Sequence, residues 1–416
     1  MNILIYGINY APELTGIGKY TGEFAPWLGE CGHEVHVVTA PPYYPDWRVS
    51  SSYSAWRYSR QSIDGVTVYR CPLYVPAQPS TVKRLLHLFS FSFSSSFIMF
   101  RHLFWKPDVI ILIVPTLLCA LAALLVTRLT GAKCVIHIQD YEVDAMFGVT
   151  LDTSYSYENK PKSGVVRRPL YAMERWLLCR FDRVSTISIS MMQRAIDKGV
   201  PEERVIFFPN WSELDYFLEA KRDSKLLVEL GVGSKKRVVL YSGNIGEKQG
   251  LETLIEAAEQ LQHRDDLVFL IVGEGAGKAR IITKTQDLKL TNVVFAPLQS
   301  YERLPALLAS ADCHMIVQKR GVADAVLPSK LTNILAVGGN AVITADPDTS
   351  LGLLCAEFPE IAVLVEPELV EALVAGITLA LDKPLPNKVA LAYAQEHLDK
   401  EQILRKFEHN LLELID

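Results

Sequence analysis

Seven cysteines in 416 residues form no C-x-x-C pair and no metal-ligand spacing. That excludes a zinc ribbon or a thioredoxin-like motif and leaves buried thiols in a reducing compartment. A dinucleotide fingerprint is missing as well. The stretch GINYAPELTGIGKY, residues 7–20, has no third glycine three residues beyond Gly16-Ile17-Gly18, and the next strand pattern, EVHVVTA from Glu34, ends on Thr39 and Ala40. A nicotinamide-binding fold places an acidic residue there for the ribose hydroxyls, so a dehydrogenase is disfavoured. A second glycine turn, SGNIGEKQG, lacks the G-K-[ST] ending of a Walker A loop. The N-terminus carries no basic stretch with a cleavage site, and the expectation is a cytoplasmic protein. Nineteen residues, Val109 to Thr127, carry no charge, but Pro115 interrupts them after a β-branched run. They read as a buried strand followed by a buried helix rather than a membrane span.

Nor is there a general excess of positive charge: the net charge is −5. It is unevenly spread, with 21 Lys+Arg against 17 Asp+Glu in residues 1–212 and 21 against 30 in residues 213–416. This balance argues against nucleic-acid binding and fits a first half facing an anionic surface. One segment stands out there, VKRLLHLFSFSFSSSFIMFRHLFW, with Lys83, Arg84, Arg101 and Lys106 at the ends of a Phe- and Leu-rich run. Such a segment, 83–106, suits either a core helix or one lying in a membrane interface.

With 49% hydrophobic residues the chain supports a large core, and its length suits two or three domains. Strand-like runs alternate with helical patterns: Ile3–Tyr6, Val35–Thr39, Val66–Arg70, Val109–Ile113, Cys134–Ile138 and Arg183–Thr186, then a second series opening at RVVLYSGN, Arg237–Asn244. This is the signature of α/β, doubly wound domains. Two Rossmann-like domains are expected, 1–212 and 213–387, with a helical segment 388–416 packing back on the first.

Open α/β sheets bind ligands at the carboxyl ends of their strands, where glycine turns and helix N-termini accept anions. Gly16 and Gly18 form one such turn, with Lys19 beside it. Asn244, Gly246 and Lys248 lie in another, and Ser329 and Lys330 open a later helix that faces the same ligand side. Two cationic turns at the strand ends of one domain suggest a phosphate cradle. At the end of a first-domain strand, His137 alternates with Gln139 and is followed by Asp140, Glu142 and Asp144. Asp140 either orients a substrate hydroxyl or caps the next helix. The aromatic loop Pro41–Tyr58 suits sugar stacking or an interfacial belt. No metal site is expected; the D-x-D string 346–348 is the weak candidate.

The order GINYAPELTGIGKYTGEF, STISISMMQRAIDKGVPEERVIFFPNW, LYSGNIGEKQGLETLIEAA, LVFLIVGEGAGKARI, NVVFAP and LPSKLTNILAVGG resembles the GT-B retaining glycosyltransferases of family four over essentially the whole chain. The resemblance implies a nucleotide sugar bound mainly by the second domain, an acceptor bound mainly by the first, and transfer in a cleft without a cofactor. It further implies L-fucose from GDP-fucose as donor and a polyprenyl-diphosphate-linked saccharide acceptor in exopolysaccharide synthesis; peripheral attachment to the inner face of the cytoplasmic membrane is the expectation raised by the segment 83–106 itself. The chain departs from the family at its signature residues. The two signature glutamates fall on Ala325 and Asn333, with Asp324 adjacent, and the phosphate-binding Arg and Lys fall on Asn244 and Gln249. Lys248 and Lys330 are expected to replace those cations, and Asn333 to hydrogen-bond the ribose or the sugar. Asp140 and Gln139 fall where relatives carry a His-Asp pair. A UDP-sugar transferase of the same family and a non-catalytic GT-B scaffold are the alternatives; a GT-B epimerase or phosphorylase fits less well.

Overall fold

The computed structural model describes residues 1–13, 16–44, 46–77, 81–146, 164–320 and 329–415, and the chain divides into two compact units. The first holds the described residues up to 210 together with 404–415. The second holds those from 211 to 403. Of the segment 388–416, therefore, the helix Lys388–His397 belongs to the second unit, and the greater part of the helix Lys400–Ile415 to the first.

The first unit is built on an eight-stranded sheet: β1 Asn2–Tyr6, β2 Glu34–Thr39, β3 Ser59–Ile63, β4 Val66–Arg70, β5 Val109–Val114, β6 Lys133–Ile138, β7 Arg183–Thr186 and β8 Val205–Phe207. Their spatial order is β3-β4-β2-β1-β5-β6-β7-β8, and every pairing is parallel except the β3–β4 hairpin. All six residues of β5 are buried, as expected of a strand covered on both faces. Phe407 from the C-terminal helix stacks on Phe208 with centroids 3.9 Å apart and meets Phe24 edge-on at 5.6 Å. His33 Nε2 lies 2.7 Å from Glu408 Oε1.

The second unit has six parallel strands: β9 Arg237–Ser242, β10 Leu267–Val272, β11 Val293–Ala296, β12 Cys313–Ile316, β13 Ala341–Thr344 and β14 Val363–Val365, in the order β11-β10-β9-β12-β13-β14. Side chains alternate across the sheet. Val238, Leu240, Val268 and Leu270 enter one core; Val239, Tyr241, Phe269 and Ile271 enter the other. A strand that feeds two cores has no polar face, hence the unbroken apolar runs in the sequence. The direction of strand addition reverses between β9 and β12, and such a switch point opens a crevice at the carboxyl ends. In the first unit it reverses between β1 and β5. Among the described residues, no helix is long and apolar enough to cross a membrane.

Candidate functional site

At the switch point of the second unit, β9 runs into a turn with little room for side chains. Gly243 N–H donates to Val272 O (3.0 Å), Ile245 N–H to Glu274 O (2.8 Å) and Gly277 N–H to Ile245 O (2.8 Å), zipping the turn after β9 to the turn after β10. A Cβ on Gly273 would lie 1.9 Å from Gly243 O, and one on Gly275 2.4 Å from Ile245 O. Asn244 packs its side chain between Gly246 and Gly275. Gly246 N–H donates to Gln249 Oε1 at 3.1 Å, so Gln249 closes the turn itself. Gly250, with φ +59°, then starts the helix Leu251–Gln260. Lys248 lies in the intervening 3-10 turn; its side chain and that of Ser329 fall outside the described residues, as do Asp324 and Ala325.

Lys330 stands in the first turn of the helix Ser329–Ala336 and reaches back over β9. Its Nζ is 4.8 Å from the centroid of Tyr241, and its Cδ would be 3.9 Å from a Cβ on Gly243. Burial raises the Tyr241 phenol, which donates to Asn244 O at 2.6 Å, so the lysine rests on a neutral ring. Lys330 and the glycine turn are thus brought together. Asn333 follows one helical turn later, where Ser212 donates to its Oδ1 at 3.0 Å. Ser212 is buried, and its N–H donates to Leu398 O. The Asn333 side-chain carbonyl therefore has a structural partner inside the fold.

Sequence reasoning passed over a further cation here. Lys319, just past β12, lies across the start of the helix Leu251–Gln260: a Cβ on Gly250 would sit 2.9 Å from Lys319 Cγ. Its Nζ is 3.8 Å from Glu247 Oε2, while Arg280 binds both Glu247 and Glu252 at 2.5 Å. The only signal was its place at a strand end. Asp346 of the D-x-D string is held by Arg320 at 2.9 Å, and no group of three His, Cys, Asp or Glu able to hold a metal occurs among the described residues.

In the first unit, Gly18 packs against the side chain of Glu13. A Cβ there would lie 2.6 Å from Glu13 Cβ and 2.7 Å from Glu13 Oε2, so this glycine makes room for a buried carboxylate. Glu13 accepts from Asn9 Nδ2 (2.9 Å) and from the N–H groups of Tyr43 and Tyr44 (3.0 Å each), tying the glycine turn to the aromatic loop. Gly16, exposed with φ +58°, opens the helix Gly16–Glu30. Residues 14 and 15 lie outside the described residues. Lys19 lies 3.8 Å from Glu23. Arg70, fully buried at the end of β4, donates to Ala40 O and Ala11 O and lies over the rings of Tyr10 and Tyr53. Neither Glu13 nor Arg70 was singled out from sequence; a lone charge inside an apolar run was the available sign.

Gln139, just past the end of β6, contacts His137 within the strand. Gln139 Nε2 is 2.9 Å from His137 Nε2 and 3.2 Å from Asn210 Oδ1, and His137 Nδ1 is 3.0 Å from Ser185 Oγ. Burial lowers His137 to about 3, so it is a neutral ring within a polar chain. It supports Gln139 from beneath, while Gln139 is half-buried and Asp140 exposed at the strand end. Asp144 has a structural role: Arg194, Lys198 and Tyr171 all bind it.

Glu142 differs. Its Oε2 accepts from Leu117 N–H at 2.6 Å while Oε1 is buried without a partner, and burial, with Asp140 and Glu174 nearby, pushes its carboxyl up to about 7. The folded state keeps this proton where the unfolded chain, with a carboxyl near 4.5, has lost it, so its stabilising contribution is lost as pH rises through 7. Glu142→Gln should therefore gain about 1–2 kcal/mol on the parent between pH 5 and pH 8 in urea unfolding. Parallel pH profiles would contradict the assignment.

Residues 15–211 match the family of glycosyl transferase 4-like domains and residues 224–397 the glycosyl transferases group 1 family. The chain is 60% identical over 410 residues, 98% of each chain, to the Escherichia coli (strain K12) glycosyl transferase WcaI, whose name assigns it to colanic acid biosynthesis. Similar solved structures are sucrose-phosphate synthase from Thermosynechococcus elongatus (TM-score 0.74, 16% identity, 100% of this chain and 99% of that one) and Anabaena Alr3699/HepE in complex with UDP and glucose (TM-score 0.66, 15% identity, 99% of each). Two α/β units, each matching one half of a transferase, and this identity along the chain place the protein in the family of GT-B glycosyltransferases.

Proposed function

We propose that this protein is a retaining glycosyltransferase of colanic acid biosynthesis. It moves L-fucose from GDP-fucose to a polyprenyl-diphosphate-linked saccharide at the cytoplasmic face of the membrane, with no cofactor beyond the nucleotide sugar. The relation to WcaI supports the pathway. The observation that supports a nucleoside-diphosphate donor is Lys330 poised over the glycine turn at the switch point of the second unit, while the choice of fucose rests on the resemblance alone. Cleavage of a sugar–diphosphate bond puts negative charge on the leaving phosphate, which a fixed lysine and turn N–H groups stabilise without reorganising. Lys248 and Ser329 remain the further phosphate-binding residues expected from the sequence, and in this reading the Asn333 amide meets the ribose or sugar. In the first unit, Asp140 and Gln139 orient the acceptor hydroxyl. A UDP-sugar donor is the second reading, favoured by the UDP named in the Anabaena structure.

The helix Thr81–Arg101 supports the membrane part of this reading. Phe91, Ser95 and Met99 are buried, whereas Phe89, Phe93 and Phe97 are 59%, 62% and 58% exposed in a row at four-residue spacing, with Lys83 and Arg84 at one end and Arg101 and Lys106 at the other. An apolar stripe with cations at its ends suits an interface with anionic headgroups. Replacing Phe89, Phe93 and Phe97 by Ser should reduce co-sedimentation with phosphatidylglycerol vesicles at least tenfold. Transfer of labelled fucose from GDP-fucose to an organic-extractable product in membranes tests the reaction. A chain that binds no vesicle, or that labels product only from UDP-sugars, would overturn the corresponding part.

A further inference from the structure

The carboxyl ends of β5 and β6 enclose a small cavity beside Asp140. Val114 and Ile138 from these strands wall it together with Leu178 at the end of the helix Gly164–Leu178, and three acids close it: Asp140, Glu142 and Glu174. It holds about 10 Å³ of space that a water molecule can occupy, room for one water and no more. Glu174 is buried and paired with Lys198, and Glu142 Oε2 accepts from Leu117 N–H at 2.6 Å. Glu142 Oε1 is buried without a partner. A buried oxygen left in that state costs about 1–3 kcal/mol, and a water in the adjoining cavity removes the cost.

We propose that Glu142 is a positioning residue for Asp140, acting through one ordered water in this cavity that accepts from the Glu142 carboxyl O–H and donates to the Asp140 carboxylate. The proposal rests on the reading in which Asp140 orients the acceptor hydroxyl, and it adds a hold on that exposed side chain from inside the fold. A third bond, to Glu174, gives the water the roughly three partners usual for a buried one. The proton belongs on Glu142 because Glu174 has Lys198 beside it and Asp140 is exposed to solvent, whereas Glu142 has neither advantage among the described residues. Its carboxyl, pushed up to about 7 by burial and by these two acids, agrees. The other titratable groups facing it are Tyr141 in the cavity wall and the Cys119 thiol on the 3-10 turn Leu117–Cys119, and burial raises both so that they stay neutral. Above pH 7 Glu142 ionises, the water faces three carboxylates, and the hold on Asp140 is lost.

The test uses the full chain. Infrared difference spectroscopy should show a protonated carboxyl that titrates near pH 7 and is missing from Glu142→Gln, and its midpoint should fall by roughly 0.5–1 pH unit in Asp140→Asn, where one like charge is gone. A crystal structure at pH 6 should place one water within hydrogen-bond distance of both Glu142 Oε1 and an Asp140 oxygen. Transfer of label from GDP-fucose or UDP-glucose to organic-extractable product in membranes, at saturating donor, should fall roughly fivefold or more between pH 6.5 and pH 8.5 while the donor KM stays within about twofold. Glu142→Gln, whose amide donates at every pH, should lose this alkaline fall, and Glu142→Leu should be slowed roughly fivefold already at pH 6.5. A dry cavity, a water out of reach of Asp140, an unchanged midpoint in Asp140→Asn, or the same alkaline fall in parent and Glu142→Gln overturns the proposal. Absence of transfer from either nucleotide sugar counts against the glycosyltransferase reaction instead, and the infrared and crystallographic results then decide the Glu142–water–Asp140 link on their own.

Discussion

Lys330→Ala should weaken nucleoside diphosphate binding roughly 10- to 100-fold and raise the donor KM by a similar factor, while thermal stability stays within a few degrees. The magnitude is that of one hydrogen bond to a charged group, about 1.5–3 kcal/mol. The position explains why the loss falls on the ligand rather than on the fold. Lys330 is half-buried beside the turn after β9 and rests on the ring of Tyr241. Tyr241 keeps its own bond to Asn244 O when the lysine is removed. Lys330→Arg keeps the charge but exchanges a compact ammonium for a planar fork and should recover only part of the affinity. Lys319→Gln, at the other end of the same turn, is a useful companion. Its ion pair to Glu247 is long at 3.8 Å, and its removal should cost less than that of Lys330. Equal affinities for parent and Lys330→Ala would show that the diphosphate lies elsewhere.

Gly273→Ala should have the largest effect on stability, about 3 kcal/mol or more in denaturant unfolding, with loss of nucleotide binding. A Cβ at Gly273 would stand 1.9 Å from the carbonyl oxygen of Gly243, an overlap of backbone with side chain that no rotamer relieves. Relief requires pulling the two turns apart, which breaks the Gly243-to-Val272 and Ile245-to-Glu274 hydrogen bonds and moves the turn beneath Lys330. Gly29→Ala is the control. Nothing lies within 4 Å of its would-be Cβ and it sits inside the helix Gly16–Glu30, so alanine there should be neutral or stabilise by up to about 1 kcal/mol. Similar unfolding midpoints for the two variants would mean that the turns are not packed as described.

How much of this was legible in the sequence depends on the range of the interaction. The parallel strands announced themselves because strands covered on both faces leave apolar runs such as LVFLIV, Leu267–Val272. β3 did not: SRQSI is an edge strand with mostly exposed side chains, and its pairing with β4 gives no local hydrophobic pattern. The glycine turns were visible, but the reason for each glycine was not. Gly18 answers to Glu13, Gly250 to Lys319 and Gly273 to Gly243, partners that become neighbours only in the fold. The same limit applies to His137. Its spacing from Gln139 suggested that the two side chains meet, whereas its burial against Ser185, which makes it a support for Gln139, depends on the adjacent strand. Lys330 was legible because a lysine opening a helix after a strand is a local arrangement. Lys319 required knowing that β12 lies beside β9.

Calorimetric titration of the purified chain with GDP, UDP, GDP-fucose and UDP-glucose tests the central claim most directly. Saturable binding of GDP and GDP-fucose, at least tenfold tighter than the uridine compounds and strongly weakened by Lys330→Ala, is the predicted result. Tighter binding of the uridine compounds would contradict the fucose donor, and no binding of any of the four would contradict the nucleotide-sugar site itself.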